Sequence, residues 1–297
     1  MELVAQQPRA SKVRGVGADG EGVTPPLAVR RVRFEWPDDL DPVWTPQTPE
    51  LAIAANAVSM LMPHAEPYVV ASTKAALAEG LVDDPALAAD AQAYLVQEAQ
   101  HHAQHRKLND LLIARYPKLA KTDRSLAKVF SWLRGRSTRF GLAFAAGFET
   151  VAFVAARWVD KHQGLLRDAE PTAATLFLWH LAEEVEHKRV AFDVYQASGG
   201  GRLRYAFAMS VAAIVLALGS LAGTIRMLAG EGRLLSPSSW MRLVSWSLSF
   251  IFVALPVMVV SALPGHHPDQ LVDPAGLEHW LDHLDPETST VPEWALP

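Results

Sequence analysis

The 297-residue chain contains no cysteine. Disulfides, thiolate nucleophiles, thiolate zinc sites and cysteine-held iron–sulfur clusters are therefore excluded, and any metal must be held by His, Asp, Glu or backbone groups. A basic excess is also missing. The chain has 27 Lys and Arg against 32 Asp and Glu, a formal net charge of −5, which argues against nucleic acid as a partner. No Gly-x-Gly-x-x-Gly fingerprint of the flavin or nicotinamide type is found. Residues 1–47 lack any apolar run, and the stretch from Ser11 to Pro26 is rich in Gly and small residues. They are expected to form an extended or disordered lead-in. With no secretory h-region in them, the default expectation is a cytoplasmic location. Alternating apolar and polar runs are scarce between 48 and 200, so no sheet is expected there.

What is present is helical punctuation in a chain that is half hydrophobic. Thr48-Pro49-Glu50 reads as a helix start and Pro63 as its end. A second helix follows to Glu79-Gly80, with Pro67 tolerated in the first turn. Asp84-Pro85 to Tyr116-Pro117 predicts one long helix of ~46 Å. A short helix is expected over Ser125–Arg134, then Ser137–His162 and Pro171–Ala197, closed by Gly199-Gly200-Gly201. These place an all-α bundle at 48–201. Two uncharged runs follow, Tyr205–Ile225 and Leu243–Gly265, so 202–265 reads as a hydrophobic helical hairpin. The acidic tail 266–297 has room for a short helix at Leu277–Leu284.

The chemistry lies in paired motifs. Glu98-Ala-Gln-His101 and Glu184-Val-Glu-His187 are both Glu-x-x-His pairs, and residues three apart share a helix face. His180 falls within about 60° of Glu184 and His187. Glu183 and Glu186 fall outside that arc and read as solvated or supporting. Glu149 sits in a strongly apolar helix, where a lone carboxylate must be paired, protonated or metal-bound; a buried pair with Arg157 is the structural alternative. Glu66 lies in the first turn of its helix. One Glu from each of two helices and one Glu-x-x-His from each of two others is the ligand pattern of di-iron carboxylate bundles. Four carboxylates balance two divalent ions, whereas without metal they repel one another. His102 and His105 lie near the same face, as ligands or as hydrogen-bonding supports. Phe144, Phe148, Phe153 and Trp179 flank the ligands as core or pocket lining.

The order Glu, Glu-x-x-His, Glu, Glu-x-x-His resembles the ferritin-like di-iron proteins. His180-x-x-x-Glu184-x-x-His187 resembles the p-aminobenzoate N-oxygenase group, in which the extra His is a ligand. Met-Pro-x-x-Glu together with Gln-Glu-Ala-Gln-His-His-x-x-His is most similar to the bacterial family labelled predicted metal-dependent hydrolase, over roughly residues 45–230. The resemblance implies a ferritin-like four-helix bundle with an extra N-terminal helix. It implies one metal on Glu66, Glu98, His101 and Glu184, and a second on Glu98, Glu149, Glu184, His187 and His180.

Three functions follow as expectations. The first is a di-iron oxygenase or oxidase, using two iron ions, O2, a small organic substrate and an external electron donor. The second is a di-metal hydrolase, with manganese or zinc as alternatives. The third is a non-catalytic metal-handling protein. Both uncharged runs reach the ~20 residues that cross a bilayer, so 205–225 and 243–265 are expected to attach the bundle to the inner membrane, to insert shallowly, or to pack on the bundle or a homodimer partner. Gly219 and Gly223 carry a Gly-x-x-x-Gly spacing suited to close helix packing.

Overall fold

The computed structural model describes residues 27–276 apart from 31, 33 and 38, together with His283 and Asp285. The described residues hold eight α-helices and no β-strand, so the fold is all-α. The Leu277–Leu284 helix expected from the sequence lies outside the described residues, His283 excepted.

Helix α1 (Pro49–Ser59) opens on Pro49, but Thr48 does not cap it through its side chain. The Thr48 hydroxyl instead donates to the Leu165 carbonyl at 3.2 Å. Helix α2 (Met62–Ala78) starts one residue before Pro63, and Pro67 lies in its second turn, not its first. The missing amide frees the Pro63 carbonyl, and the Arg106 guanidinium donates to it at 3.5 Å. Helix α3 (Pro85–Arg115) is capped by Asp84, whose carboxylate accepts from the Ala86 amide. Helix α4 (Leu119–Arg134) begins six residues earlier than expected. Its buried stripe, Leu119, Thr122, Leu126, Phe130 and Leu133, already has helical spacing from Leu119 onward. Helices α5 (Thr138–Lys161) and α6 (Pro171–Ala197) are capped by Ser137 and Glu170. Helix α6 ends at a turn where Gly199 takes φ +77°, a conformation that favours glycine. Helices α7 (Arg202–Gly230) and α8 (Pro237–Ala262) contain the two uncharged runs.

Helices α2, α3, α6 and α5 pack in that order into a closed ring. These four carry the expected ligands. Helix α7 lies against α5, α1 and α4, and α8 lies against α5, α7 and α1. The crossing of α5 and α7 is close because Gly147 faces Met209: a Cβ there would lie 2.5 Å from the Met209 Cα. Gly219 and Gly223 face Leu61, Leu126 and Ala57, so the Gly-x-x-x-Gly spacing serves packing within this chain. The described residues of 27–47 hold no helix, yet they bury Leu27, Val32, Phe34 and Trp44 in the core. Trp44 stacks on Phe177 and its indole donates to Asn56.

Among the described residues three helices are long and apolar enough to cross a membrane: α5, α7 and α8. They differ in cover. The most apolar stretch of α5 is 78% buried within the protein, against 28% for α7 and 17% for α8.

Candidate metal centre

Helical spacing builds the site. On α3, Glu98, His101 and His105 share a face, and on α6 His180, Glu184 and His187 do. Glu66 comes from α2 and Glu149 from α5. Glu66, Glu98, His101, Glu149 and His187 have no exposed surface, and Glu184, His105 and His180 have almost none. Candidate ligand atoms of Glu98, His101, Glu184 and His187 lie within 4.8 Å of one another, and so do those of Glu66, His105 and His180. Glu184 links the two groups, since its Oε1 is 2.8 Å from His180 Nε2 and 3.6 Å from His187 Nδ1. Glu149 Oε2 reaches to 3.8 Å of His187 Nδ1.

The grouping differs from the one the resemblance implies: His101 falls with His187, and Glu66 stands apart from Glu98 and His101. His180 stands at the Glu66 end, with its Nε2 3.5 Å from Glu66 Oε1, beside His105. His102 belongs to neither group; it is partly exposed and its Nδ1 bonds the Glu98 carbonyl at 3.1 Å. Glu149 is not paired with Arg157, which lies over the Phe153 ring. It accepts instead from the Tyr94 hydroxyl at 2.6 Å. Phe144, Phe148, Phe153 and Trp179 are buried core, and Trp179 meets His101 edge-on.

Each histidine facing the centre is held by its other nitrogen. His101 Nε2–H donates to Glu183 Oε2 at 2.9 Å, and His187 Nε2–H to Gln97 Oε1 at 2.9 Å, which turns both Nδ1 atoms inward. His180 is oriented the other way round. The Asn109 amide donates to the Ser59 carbonyl at 2.9 Å, so its oxygen is the one that faces the Ser59 hydroxyl. Ser59 donates to that oxygen and therefore accepts from His105 Nδ1–H at 2.8 Å. His105 Nε2 then accepts from His180 Nδ1–H at 2.6 Å, which turns His180 Nε2 toward the carboxylates, 2.8 Å from Glu184 Oε1.

Of the two roles open to Glu183, solvated or supporting, the structure shows the second: it is fully buried. Its second oxygen meets Arg30, 3.2 Å away on the lead-in segment, and Arg30 also clamps Glu186 at 2.9 and 3.0 Å. Burial still pushes Glu183 up to about 7 despite Arg30. Gln97, Arg30, Tyr94, Ser59 and Asn109 are the supports that sequence reasoning missed. Only Gln97 left a local signal, as the residue before Glu98.

The electrostatics suit a bound cation. Burial, then repulsion from Glu98 and Glu184, raises Glu66 well above the usual carboxylate range. Glu149 is raised in the same way. Burial raises Glu98 too, although His187 counteracts it. Burial and the neighbouring histidines hold His101 well below its ordinary value. Burial acts against Glu184 and His187 as well. Hydrogen bonding and mutual attraction outweigh it, so Glu184 stays low and His187 rises to about 10. Both oxygens of Glu66, one each of Glu98, Glu149 and Glu184, and Nδ1 of His101 are buried with no hydrogen-bond partner, while Glu98 Oε1 and His187 Nδ1 meet at 2.8 Å. A neutral buried atom left unpaired costs about 1–3 kcal/mol, and a charged one more. Convergent oxygen and imidazole lone pairs are donors suited to divalent metals, and the residues fit such a centre.

A family model described as predicted metal-dependent hydrolase matches residues 28–271. The match takes in the segment that carries Arg30 and both apolar helices. No curated protein and no solved structure matches significantly. With buried clusters that can hold metal and a family match over most of its length, the chain belongs to the predicted metal-dependent hydrolase family.

Proposed function

We propose that this protein is a two-metal enzyme and that hydrolysis is its reaction. The convergence of unpartnered buried carboxylate and imidazole atoms from four helices carries this reading. Glu98, His101, Glu184 and His187 would hold one ion, with Glu149 beside them. Glu66 and His180, with Glu184 shared, would hold the other. When bound, such ions supply Lewis acidity, lowering the pKa of water and polarising a substrate oxygen. The chain's own residues fix the donors. Glu183, Gln97 and His105 set which nitrogen each histidine presents. Tyr94 orients Glu149. Phe144, Phe148 and Trp179 keep bulk water away.

A second reading, a ferritin-like di-iron oxygenase or oxidase, is favoured by the closure of the site. None of these donors is more than 7% exposed. Such a centre suits O2 and a small lipophilic organic substrate, with electrons from an external donor. Metal analysis of anaerobically prepared protein, followed by absorption spectra on adding O2, separates the two. Two zinc or manganese ions per chain without spectral change support hydrolysis. Two irons with a new band after O2 support oxidation. Absence of stoichiometric metal overturns both.

A further inference from the structure

Helices α7 and α8 turn a continuous apolar face outward. On α7 this is Phe207, Ile214, Leu218, Leu221 and Ile225, recurring at helical spacing, and all are exposed. On α8 it includes Met241, Leu248, Phe252, Leu255 and Val259, with Phe252 77% exposed. Ten large apolar side chains exposed on two neighbouring helices are more than the singly scattered ones that a soluble monomer ordinarily shows. Its rim has one sign of charge. Segment 202–265 carries Arg202, Arg204, Arg226, Arg233 and Arg242 against Glu231 alone, a net charge of +4. The remainder of the chain holds −9 of the −5 total. Glu231 is itself engaged by Tyr116 and Arg115, and Arg233 and Arg242 both meet the buried Glu50, which leaves an excess of +3 when Glu50 is counted. An isologous pairing of two copies would set one cationic hairpin against another, whereas an anionic lipid surface complements it.

The packing fixes the orientation. Helix α7 is tied along its length, by Gly147 against Met209, Leu126 against Gly219, and Tyr116 against Gly230. Leu126 of α4 thus meets the middle of the uncharged run, at the level of the exposed Lys121, Arg124 and Lys128. An upright span would carry those three charges to hydrocarbon depth, which is very costly. Helix α8 is fastened to the bundle as well. Ser239 donates to the buried Glu50 at 2.6 Å, Trp158 to Ser249 at 3.0 Å, and Arg202 to the Ser261 carbonyl at 3.1 Å.

We propose that α7 and α8 lie flat in the interface of an anionic lipid bilayer, with their outward side chains in the acyl boundary and the arginines at headgroup level. The proposal is independent of the metal reading, because the face stands apart from the ligands.

The test is co-sedimentation of the full-length protein with phosphatidylcholine vesicles, with and without about one-third phosphatidylglycerol. Binding to the anionic vesicles is expected, weakened by salt and released by alkaline carbonate, and unchanged by chelators. The double variant Leu248→Asp, Phe252→Asp should bind at least about tenfold more weakly, since two apolar anchors are lost. Its helical content and metal content should match the parent. Arg204→Glu should weaken binding to anionic vesicles only. Resistance to carbonate, with protease protection, would mean a true span and overturn the proposal. Absence of vesicle binding would overturn it too. In that case, self-association that the double variant abolishes would identify a second copy as the occupant.

Discussion

Helices α3 and α6 bury carboxylates and imidazoles, while α7 and α8 expose Phe, Leu, Ile and Val. Each pair inverts the ordinary distribution of polar and apolar side chains, and for opposite reasons. Inside the ring, polar atoms converge on a point that a cation would neutralise. On the hairpin, apolar atoms spread over a plane that another apolar phase would cover. Charged residues are rarely buried without partners and apolar patches of this size are rarely exposed, so both regions are informative where an ordinary core is not. The inversions meet at Gly147, which packs on Met209 of α7 and stands two residues before Glu149 of the centre.

The largest effect should come from breaking the inner region. Glu98→Ala or Glu184→Ala should drop metal from two ions per chain to less than one. Saturating metal should then no longer raise the melting temperature. In the parent protein, metal at a hundredfold its Kd adds about 2.7 kcal/mol. Metal analysis and thermal unfolding read both effects.

Gly147→Ala tests the junction. The added methyl meets backbone rather than the end of a flexible side chain, so α5 and α7 must part, at about 2–3 kcal/mol in denaturant unfolding. Metal affinity should fall with stability, because Glu149 moves with α5. Gly223→Ala meets Ala57 Cβ at 3.0 Å and should cost less.

His105→Ala should lower metal affinity by about 10- to 100-fold while leaving the stoichiometry at two under saturation. Competition with a chelator measures this. Arg30→Ala should act in the same direction through Glu183.

The smallest effect is on pH dependence, on the order of 1 kcal/mol per pH unit. His187 is raised to about 10, so its contribution is complete below its ordinary value and is lost as pH climbs towards 10. The raised Glu66 and Glu149 have the same sign. His101 and His105 are depressed and are neutral in both states above pH 7, so they add no slope there. Metal-free protein should lose stability from about pH 7 to 9. Stabilisation by metal should grow over the same range, since ligands bind deprotonated. Thermal scans with and without chelator would show the opposite slopes.

Much of this was legible because helix geometry is local. Proline starts, capping acids and three-residue spacings placed Glu98 with His101 and Glu184 with His187 before any coordinates. Pro67 was placed in the first turn, although even a start at Pro63 makes it the fifth helical residue, past the amides that need no partner. Glu183 was left between solvated and supporting, and it is supporting. The helical arc places it away from the ligands, which is correct, but that side of α6 is covered by the Arg30 segment, 153 residues earlier in the chain. The supports Tyr94, Ser59 and Asn109 act across helices, and no periodicity reports such contacts. The outward face of the hairpin was visible as two uncharged runs. Its orientation was not, because that depends on which glycines meet α1, α4 and α5.

The site gathers donors from Glu66 to His187, so it draws together four helices spread over a long stretch of chain. A chain without cysteine has no covalent staple. Metal at this centre would serve as one, tying distant segments as a disulfide does. In the chain-entropy model, closing a loop of about a hundred residues is worth on the order of 4–5 kcal/mol. Unlike a disulfide, this cross-link would be indifferent to reductants and removable by chelators.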